Sequence, residues 1–393
     1  MITKRKVAIG QAGGPTAVIN ASLIAFIEEA MKDFEVYGIS NALQGLVENR
    51  IVHIDGPTFQ IAEKFWNVPG AFLGSGRWSM TSEDFDRSIG HLRKHDIHYV
   101  VLIGGNGTMW ACMELARIAE EAGYELHVIG IPKTVDNDLG VTDHTPGYAS
   151  AARYVAASVR DIGQDLLSMR NFETVRIVET MGRNVGWLAA ASALLKETNE
   201  QPPHLIYLPE RPLRTEQFLT DVSKVINTIG YATVVISEGV CDEAGRLLSE
   251  TALNGDAGPK VLGGSSQFLA RQVNECLDLP ARSEILGMNQ RCSQLAISIT
   301  DLNEAAMLGR EAAILLRNGV CGSMLTLLRE PNALGQYHCR ISHCRFDEVV
   351  GHERRLPDEF IDSSGRGVTQ PFKDWLRPLV GDDLQGYPQW RYS

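Results

Sequence analysis

The chain has 393 residues, 44% of them hydrophobic and 22% charged, with a formal net charge of -11. That length exceeds one ordinary core and points to two domains of about 100–200 residues each. The acidic balance argues against a general nucleic-acid or membrane surface. No apolar run reaches the ~18 residues of a membrane span. Seven cysteines without CxxC pairs fit a reducing compartment better than a disulfide framework. Met1-Ile-Thr-Lys-Arg-Lys6 lacks the apolar stretch of a secretory leader, so a cytoplasmic location is expected.

In chain order, Val7-Ala-Ile9 reads as a short buried strand. It runs into Gly10-Gln-Ala-Gly-Gly-Pro15 and then a helix with Ile19, Leu23, Ile24 and Ile27 at helical spacing. Phe72-Leu-Gly-Ser-Gly-Arg77 is a small-residue turn ending in an arginine, which beside a phosphate would clamp it bidentately. Val100-Val-Leu-Ile103 reads as a buried parallel strand, broken by Gly104, Gly105 and Gly107, with Thr108 opening a helix to about Gly123. Strand, glycine turn and helix N-terminus make an anion site: bare amides point outward and the helix dipole adds roughly half a positive charge.

Leu126-His-Val-Ile-Gly-Ile131 is the next strand and ends in Pro132-Lys-Thr-Val-Asp-Asn-Asp138. Further strands are expected at 175–178, 205–208 and 233–236, and helices near 147–164, 185–197, 215–228, 265–276 and 301–317. Asp301 followed by Glu304 reads as a capping box for the last of these. His338-Cys339 and His343-Cys344 invite a metal reading, but no standard zinc spacing is present. The tail from Pro357 is expected to wrap the surface. Alternating strands and helices indicate an α/β fold: two Rossmann-like, three-layer α/β/α domains with mostly parallel sheets and a ligand site at the strand C-termini, in a cleft between the domains.

Pro132–Asp138 carries the densest chemistry. Asp136 and Asp138 suit turn geometry, but equally a general base and a magnesium-supporting carboxylate. Lys133 adds a point charge and Thr134 a hydroxyl. Phosphoryl transfer needs charge neutralised on the moving group and an acceptor hydroxyl that is aligned and deprotonated. Gly14, Arg77, the Gly104–Thr108 turn and Lys133 can meet the first need, and Asp136 the second.

The Gly-Gly-x-Gly-Thr turn followed by Pro-Lys-Thr-Val-Asp-Asn-Asp resembles the 6-phosphofructokinase family. Met181-Gly-Arg183, His204-Leu-Ile-Tyr-Leu-Pro-Glu210 and Gln290-Arg291 resemble its sugar-phosphate segments, in order across residues 10–310. The resemblance implies Mg²⁺-dependent transfer of a phosphoryl group to the 1-hydroxyl of fructose 6-phosphate, a glycolytic step. It implies Asp136 as base, with Lys133 and Gly107 beside it. Thr134, Asp136, Met181, Gly182, Arg183, Glu210 and Arg291 would bind the sugar phosphate, with Arg291 gripping the 6-phosphate. Gly14, Arg77, Gly104, Gly105, Asn106, Gly107 and Thr108 would bind the donor, and Asn106 and Asp138 the metal. It also implies a homodimer or homotetramer. The donor domain would comprise residues 1–147 plus about 300–340, and the sugar-phosphate domain 148–299 plus about 341–393.

The sequence departs from the family at Asn106, where the family has a magnesium-binding Asp. It departs again at Cys292-Ser293 for Gly-Gly, Leu295 for His and Met288 for Tyr. Pyrophosphate users in the family carry Asp at position 107, which blocks the space of an ATP α-phosphate, and Lys at position 133. Here residue 107 is Gly and residue 133 is Lys, so local sterics favour ATP while overall similarity favours pyrophosphate; the expected donor is ATP. A non-catalytic or altered-substrate relative is the alternative motivated by Asn106, Met288 and Leu295. A NAD-binding oxidoreductase shares only the α/β pattern, since no G-x-G-x-x-G opens the first helix.

Overall fold

The computed structural model describes residues 4–248, 263–330 and 336–388, and the chain divides into two compact units. Unit one comprises Met1–Ser150 and Arg291–Arg354; unit two comprises Ala151–Gln290 and Arg355–Ser393. The return segment of unit one is therefore longer at both ends than the expected 300–340. The expected break near residue 340 falls inside a strand, Cys339–Arg345, that pairs antiparallel with Ser323–Arg329 and so cannot leave that sheet.

Strands are numbered along the whole chain. Unit one holds β1 (Arg5–Gln11), β2 (Phe34–Ile39), β3 (Ile51–His53), β4 (Tyr99–Gly104), β5 (His127–Pro132), β10 (Ser323–Arg329) and β11 (Cys339–Arg345); the four intervening strands belong to unit two. The order in unit one is β11-β10-β5-β4-β1-β2-β3. The five inner strands run parallel, and β3 and β11 are antiparallel edges. Successive side chains alternate faces. Val100 and Leu102 therefore join one core with Met109, Leu115 and Met324, while Val101 and Ile103 join another with Ile19, Leu23, Phe26 and Leu308. Both faces are covered by helices, which is why β4 reads as an unbroken apolar run. On the second face the helices Ile19–Ala30 and Ile299–Arg317 approach closely: a Cβ on Gly309 would lie 2.2 Å from the Ser22 carbonyl oxygen.

From β1 the chain moves to β2 on one side, and from β4 to β5 on the other. The carboxyl ends of β1 and β4 thus flank the point where the order reverses, the place where open α/β sheets bind ligands.

Unit two contains a parallel sheet built from β6 (Val175–Thr180), β7 (Leu205–Tyr207), β8 (Ala232–Ser237) and β9 (Ala281–Ile285), ordered β7-β8-β6-β9. Ile177, Val234, Ile236, Phe218, Leu269 and Val273 fill one face.

The structure corrects four local expectations. The helix of residues 106–121 starts at Asn106, with Gly105 as N-cap, two residues before Thr108. The 185–197 segment is a short helix, Trp187–Ala191, tightened into a 3₁₀ turn, Ser192–Leu195. Ser298, not Asp301, caps the Ile299–Arg317 helix, accepting from the Asp301 amide; Asp301 is buried and instead accepts from the amides of Gly147 and Ser150 and from the Ser150 hydroxyl. The tail from Pro357 is not a surface wrap: Phe360, Phe372 and Trp375 pack on Trp187, with the two indoles 5.1 Å apart. Its helix Gln370–Val380 has a strong apolar face that must be covered. Among the described residues no cluster of three metal-ligating side chains is present, and no helix is long and apolar enough to cross a membrane.

Candidate active site

In unit one three loops meet at the ends of β1, β4 and β5. Gly13 adopts a left-handed φ of 74°, and its amide donates to the Gly76 carbonyl at 3.0 Å. The Ser75 hydroxyl donates to the Gly13 carbonyl at 2.5 Å. These bonds tie the Phe72–Arg77 turn to the β1 loop. Thr108 is buried and packs over Gly104, where a Cβ would stand 2.1 Å from its Oγ1. It therefore builds the turn that it was expected to line. Gly107 is exposed, and a Cβ added there would meet no atom within 4 Å, so the space above it is open.

Lys133 is buried, and its Nζ donates to the Gly14 carbonyl at 2.7 Å. Burial pulls its pKa down to about 8; Asp136 and Asp138 oppose that, while Arg291 and Arg77 add to it. Each of these four charges is near enough to act on Lys133. Arg291 lies over Gly14: a Cβ there would be 2.6 Å from its Nη1. Arg291 opens the return segment of unit one.

Asp136 is half-buried, and its amide donates to the Thr134 hydroxyl at 3.1 Å. Asn137, left-handed at φ 57°, accepts the Thr145 amide on its side-chain oxygen at 3.0 Å. The Thr145 hydroxyl donates to the Thr134 carbonyl. The heptapeptide is thus bolted to the return segment 142–147. That segment is held in turn by His144, which is fully buried between Asp143 (2.9 Å) and Glu304 (2.6 Å). Burial alone would depress its pKa; the attraction of Glu304 and the hydrogen bonds to Asp143 and Glu304 outweigh that and raise it to about 9. The Tyr337 hydroxyl donates to the other Glu304 oxygen at 2.5 Å. Sequence reasoning missed His144 and Glu304, which stand 160 residues apart; only a buried charge with no local partner could have hinted at the pair.

Asn106 donates to Asp138 Oδ2 at 2.8 Å. Asp138 Oδ1 is buried without a hydrogen-bond partner, and burial raises the Asp138 pKa. An unpartnered carboxylate oxygen beside an amide and a glycine turn at a helix N-terminus fits Mg²⁺, which takes one or two protein carboxylates and completes its shell with phosphate oxygens and water.

In unit two, Gly182 sits at φ 132°, where a Cβ would meet Ser237 Oγ and the Val185 carbonyl, both at 2.6 Å. The Gly182 carbonyl accepts from the Ser237 hydroxyl and the Gly239 amide, and the Met181 amide donates to Gln290 Oε1 at 2.9 Å. This fixes an exposed Arg183 on a rigid turn. Glu210 Oε1 accepts the amides of Gly186 and Leu356, at 3.0 and 2.9 Å, while Oε2 is buried and unpartnered. A fixed carboxylate with one free lone-pair face is suited to a ligand hydroxyl.

Residues 6–316 match the phosphofructokinase family model. The chain belongs to the phosphofructokinase family. It is a phosphotransferase of that family, and its two-unit, mostly parallel α/β architecture is the family's. It is 43% identical to a sulfofructose kinase of Alkalicoccus urumqiensis, over 95% of each chain. It is 32% identical to the pyrophosphate–fructose 6-phosphate 1-phosphotransferase of Xanthomonas campestris, over 96% of this chain and 92% of the relative. Among solved structures, a pyrophosphate-dependent phosphofructokinase of Marinobacter aquaeolei superimposes with a TM-score of 0.84 at 31% identity, over 98% of this chain and 94% of that one. Unit one thus holds glycine-ended strand loops and the Asp136 loop, and unit two a fixed arginine and a half-satisfied glutamate.

Proposed function

We propose that this phosphofructokinase-family enzyme transfers the γ-phosphoryl group of ATP to the 1-hydroxyl of a fructose bearing an anionic group on C6, and that it takes a C6 sulfonate in preference to a phosphate. This reading replaces the expected acceptor, fructose 6-phosphate, with its sulfonate analogue. The observation that carries the acceptor is the Gly287–Leu295 stretch: Met288 and Leu295 stand where family members have polar groups, and Leu295 is 97% exposed with no polar contact to give. A sulfonate carries one negative charge, whereas a phosphomonoester carries about 1.5 to 2 at neutral pH. A site poorer in donors matches the smaller charge. The 43% identity to an enzyme named for sulfofructose points the same way.

In this reading Asp136 takes the proton from the 1-hydroxyl as the hydroxyl oxygen attacks the γ-phosphorus, whose bond to the β,γ-bridging oxygen breaks to release ADP. The amides at Gly105–Gly107, the Lys133 ammonium and the Arg77 and Arg291 guanidinium groups neutralise charge on the moving phosphoryl. Glu210 Oε2 accepts from a sugar hydroxyl, and Arg183 pairs with the C6 anion. Asp138 and Asn106 would hold Mg²⁺, which supplies charge neutralisation on the donor phosphates. The open space at Gly107 supports a nucleotide donor.

A second reading, pyrophosphate as donor, is favoured by Lys133, whose ammonium sits against the Gly14 carbonyl in the donor loop. Initial rates with ATP or pyrophosphate against sulfofructose or fructose 6-phosphate separate the readings. We expect the highest kcat/KM for ATP with sulfofructose. Turnover with pyrophosphate alone overturns the donor, and a higher kcat/KM for fructose 6-phosphate overturns the acceptor.

A further inference from the structure

Unit two contains a second polar cavity of about 270 Å³ whose lining includes Lys196, His204, Asp362, Arg366 and Lys373. It lies beside His204 and Leu205, at the start of β7, whereas Met181–Arg183 and Glu210 follow the carboxyl ends of β6 and β7. No part of the phosphotransfer reading uses it.

Two half-buried lysines face this cavity, and among the described residues neither has a carboxylate within ion-pair distance. The Lys196 ammonium donates to the Pro203 carbonyl at 2.8 Å, and the Lys373 ammonium to the Lys196 carbonyl at 2.5 Å. An ammonium has three donors, so each lysine has spent one on a carbonyl. Half-buried ammonium groups are costly unless paired. Burial lowers the Lys196 pKa to about 8, and Lys373 adds to that; Asp362 and Glu200 only partly oppose it. Lys373 is lowered too, by burial and then by Arg377, against Glu197 and Asp374.

The nearby polar groups are committed elsewhere. Asp362 accepts the Ser364 amide and hydroxyl and the Arg366 amide, closing its own loop. The Arg366 guanidinium is paired with Asp221. His204 accepts the Thr233 amide on Nδ1 at 2.9 Å and donates through Nε2 to the Glu200 carbonyl at 3.2 Å, an arrangement that only the neutral imidazole can make. The wall therefore presents two ammonium groups without an ion-pair partner and a neutral imidazole, with the Glu197 and Asp362 carboxylates on the same wall but beyond ion-pair distance of either lysine, around a volume larger than one phosphate group.

The geometry points to a second anion-binding site in unit two, in which Lys196 and Lys373 together bind the oxyanion of a small phosphomonoester. The ligand supplies the missing counter-charge, and binding takes up protons wherever a lysine is partly neutral in the free protein. Affinity therefore falls as pH rises through the Lys196 range. The site is independent of the donor and acceptor assigned above.

The test uses the full chain carrying Arg77→Met, Lys133→Met, Arg183→Met and Arg291→Met, which strips the cations from the phosphotransfer site. Inorganic phosphate and glycerol 3-phosphate are titrated calorimetrically at pH 7 and pH 9. We expect one site per chain, about tenfold or more weaker at pH 9 and at least tenfold weaker once Lys196→Met and Lys373→Met are added. Tighter binding of the ester identifies a metabolite, and tighter binding of inorganic phosphate identifies the free ion; both uphold the site. The Lys196→Met/Lys373→Met chain, with the phosphotransfer residues intact, should also resist urea at least as well as the unaltered protein when phosphate is absent, because it has lost unpaired charges. That measurement also verifies folding. The inference is overturned if neither anion binds in the first background, or if the lysine substitutions leave affinity and its pH dependence unchanged.

Discussion

Replacing His144 by Gln tests whether the catalytic loop is held by a buried ion pair. His144 has no exposed surface and bridges Asp143 and Glu304. Its pKa rises from 6.5 to about 9 in the folded chain. At about 1.36 kcal/mol per pH unit, that displacement is worth about 3 kcal/mol of stability. Because the folded value is the higher, this stability is fully present below about pH 6.5. It drains away as pH rises toward 9. His144→Gln removes the charge and leaves Glu304 buried without its cation, a loss of about 3–5 kcal/mol for a broken buried pair. The urea midpoint, followed from pH 6 to pH 10, should fall steeply above pH 6.5 in the unaltered chain. In the variant it should be lower and much flatter. Adding Glu304→Gln should restore part of the loss at pH 7, since the orphaned carboxylate is then neutral. Because residue 144 anchors the segment that Thr134 and Asn137 are bolted to, kcat should drop with stability. A variant whose midpoint keeps both the height and the pH slope of the unaltered chain refutes the ion-pair account.

Asp136→Ala should lower kcat by about 10²–10⁴, the range for a general base, with acceptor binding by calorimetry retained; unaltered turnover removes Asp136 from the chemistry. Gly107→Asp should raise the KM for ATP tenfold or more without lowering thermal stability. Its Cβ meets open space, and a carboxylate in the first turn of a helix is favoured by the dipole; an equal loss with pyrophosphate counts against the steric argument. Glu210→Gln should raise the acceptor KM more than it lowers kcat, since one acceptor oxygen becomes a donor facing a sugar hydroxyl. Gly239→Ala should disorder the Arg183 turn, because its Cβ would come within 1.6 Å of the Arg183 carbonyl oxygen; the readout is a raised acceptor KM with donor use in ATP hydrolysis unchanged.

The buried parallel strands and their glycine ends were legible because both are local. An unbroken run such as Val100–Ile103 has no polar position to expose, and Gly104 at its end leaves no room for a Cβ under Thr108. The heptapeptide Pro132–Asp138 was legible for the same reason: four functional groups within six positions, Lys133 to Asp138, need no tertiary partner to be noticed. Asp301 was misread as a cap because the amides it serves, Gly147 and Ser150, lie some 150 residues earlier. The tail was misread because Phe360, Phe372 and Trp375 find their apolar cover on Trp187, far back in the chain.

Local spacing alone determined the α/β class, the glycine-ended strands and the loop that carries Asp136, since these depend on backbone reach and side-chain type over a few residues. Tertiary structure alone decided that Arg291 belongs with Gly14 and Lys133, that His144 is a buried cation, and that Lys196 and Lys373 share a cavity. Charge–charge energies depend on distance and desolvation, and neither is a property of sequence separation.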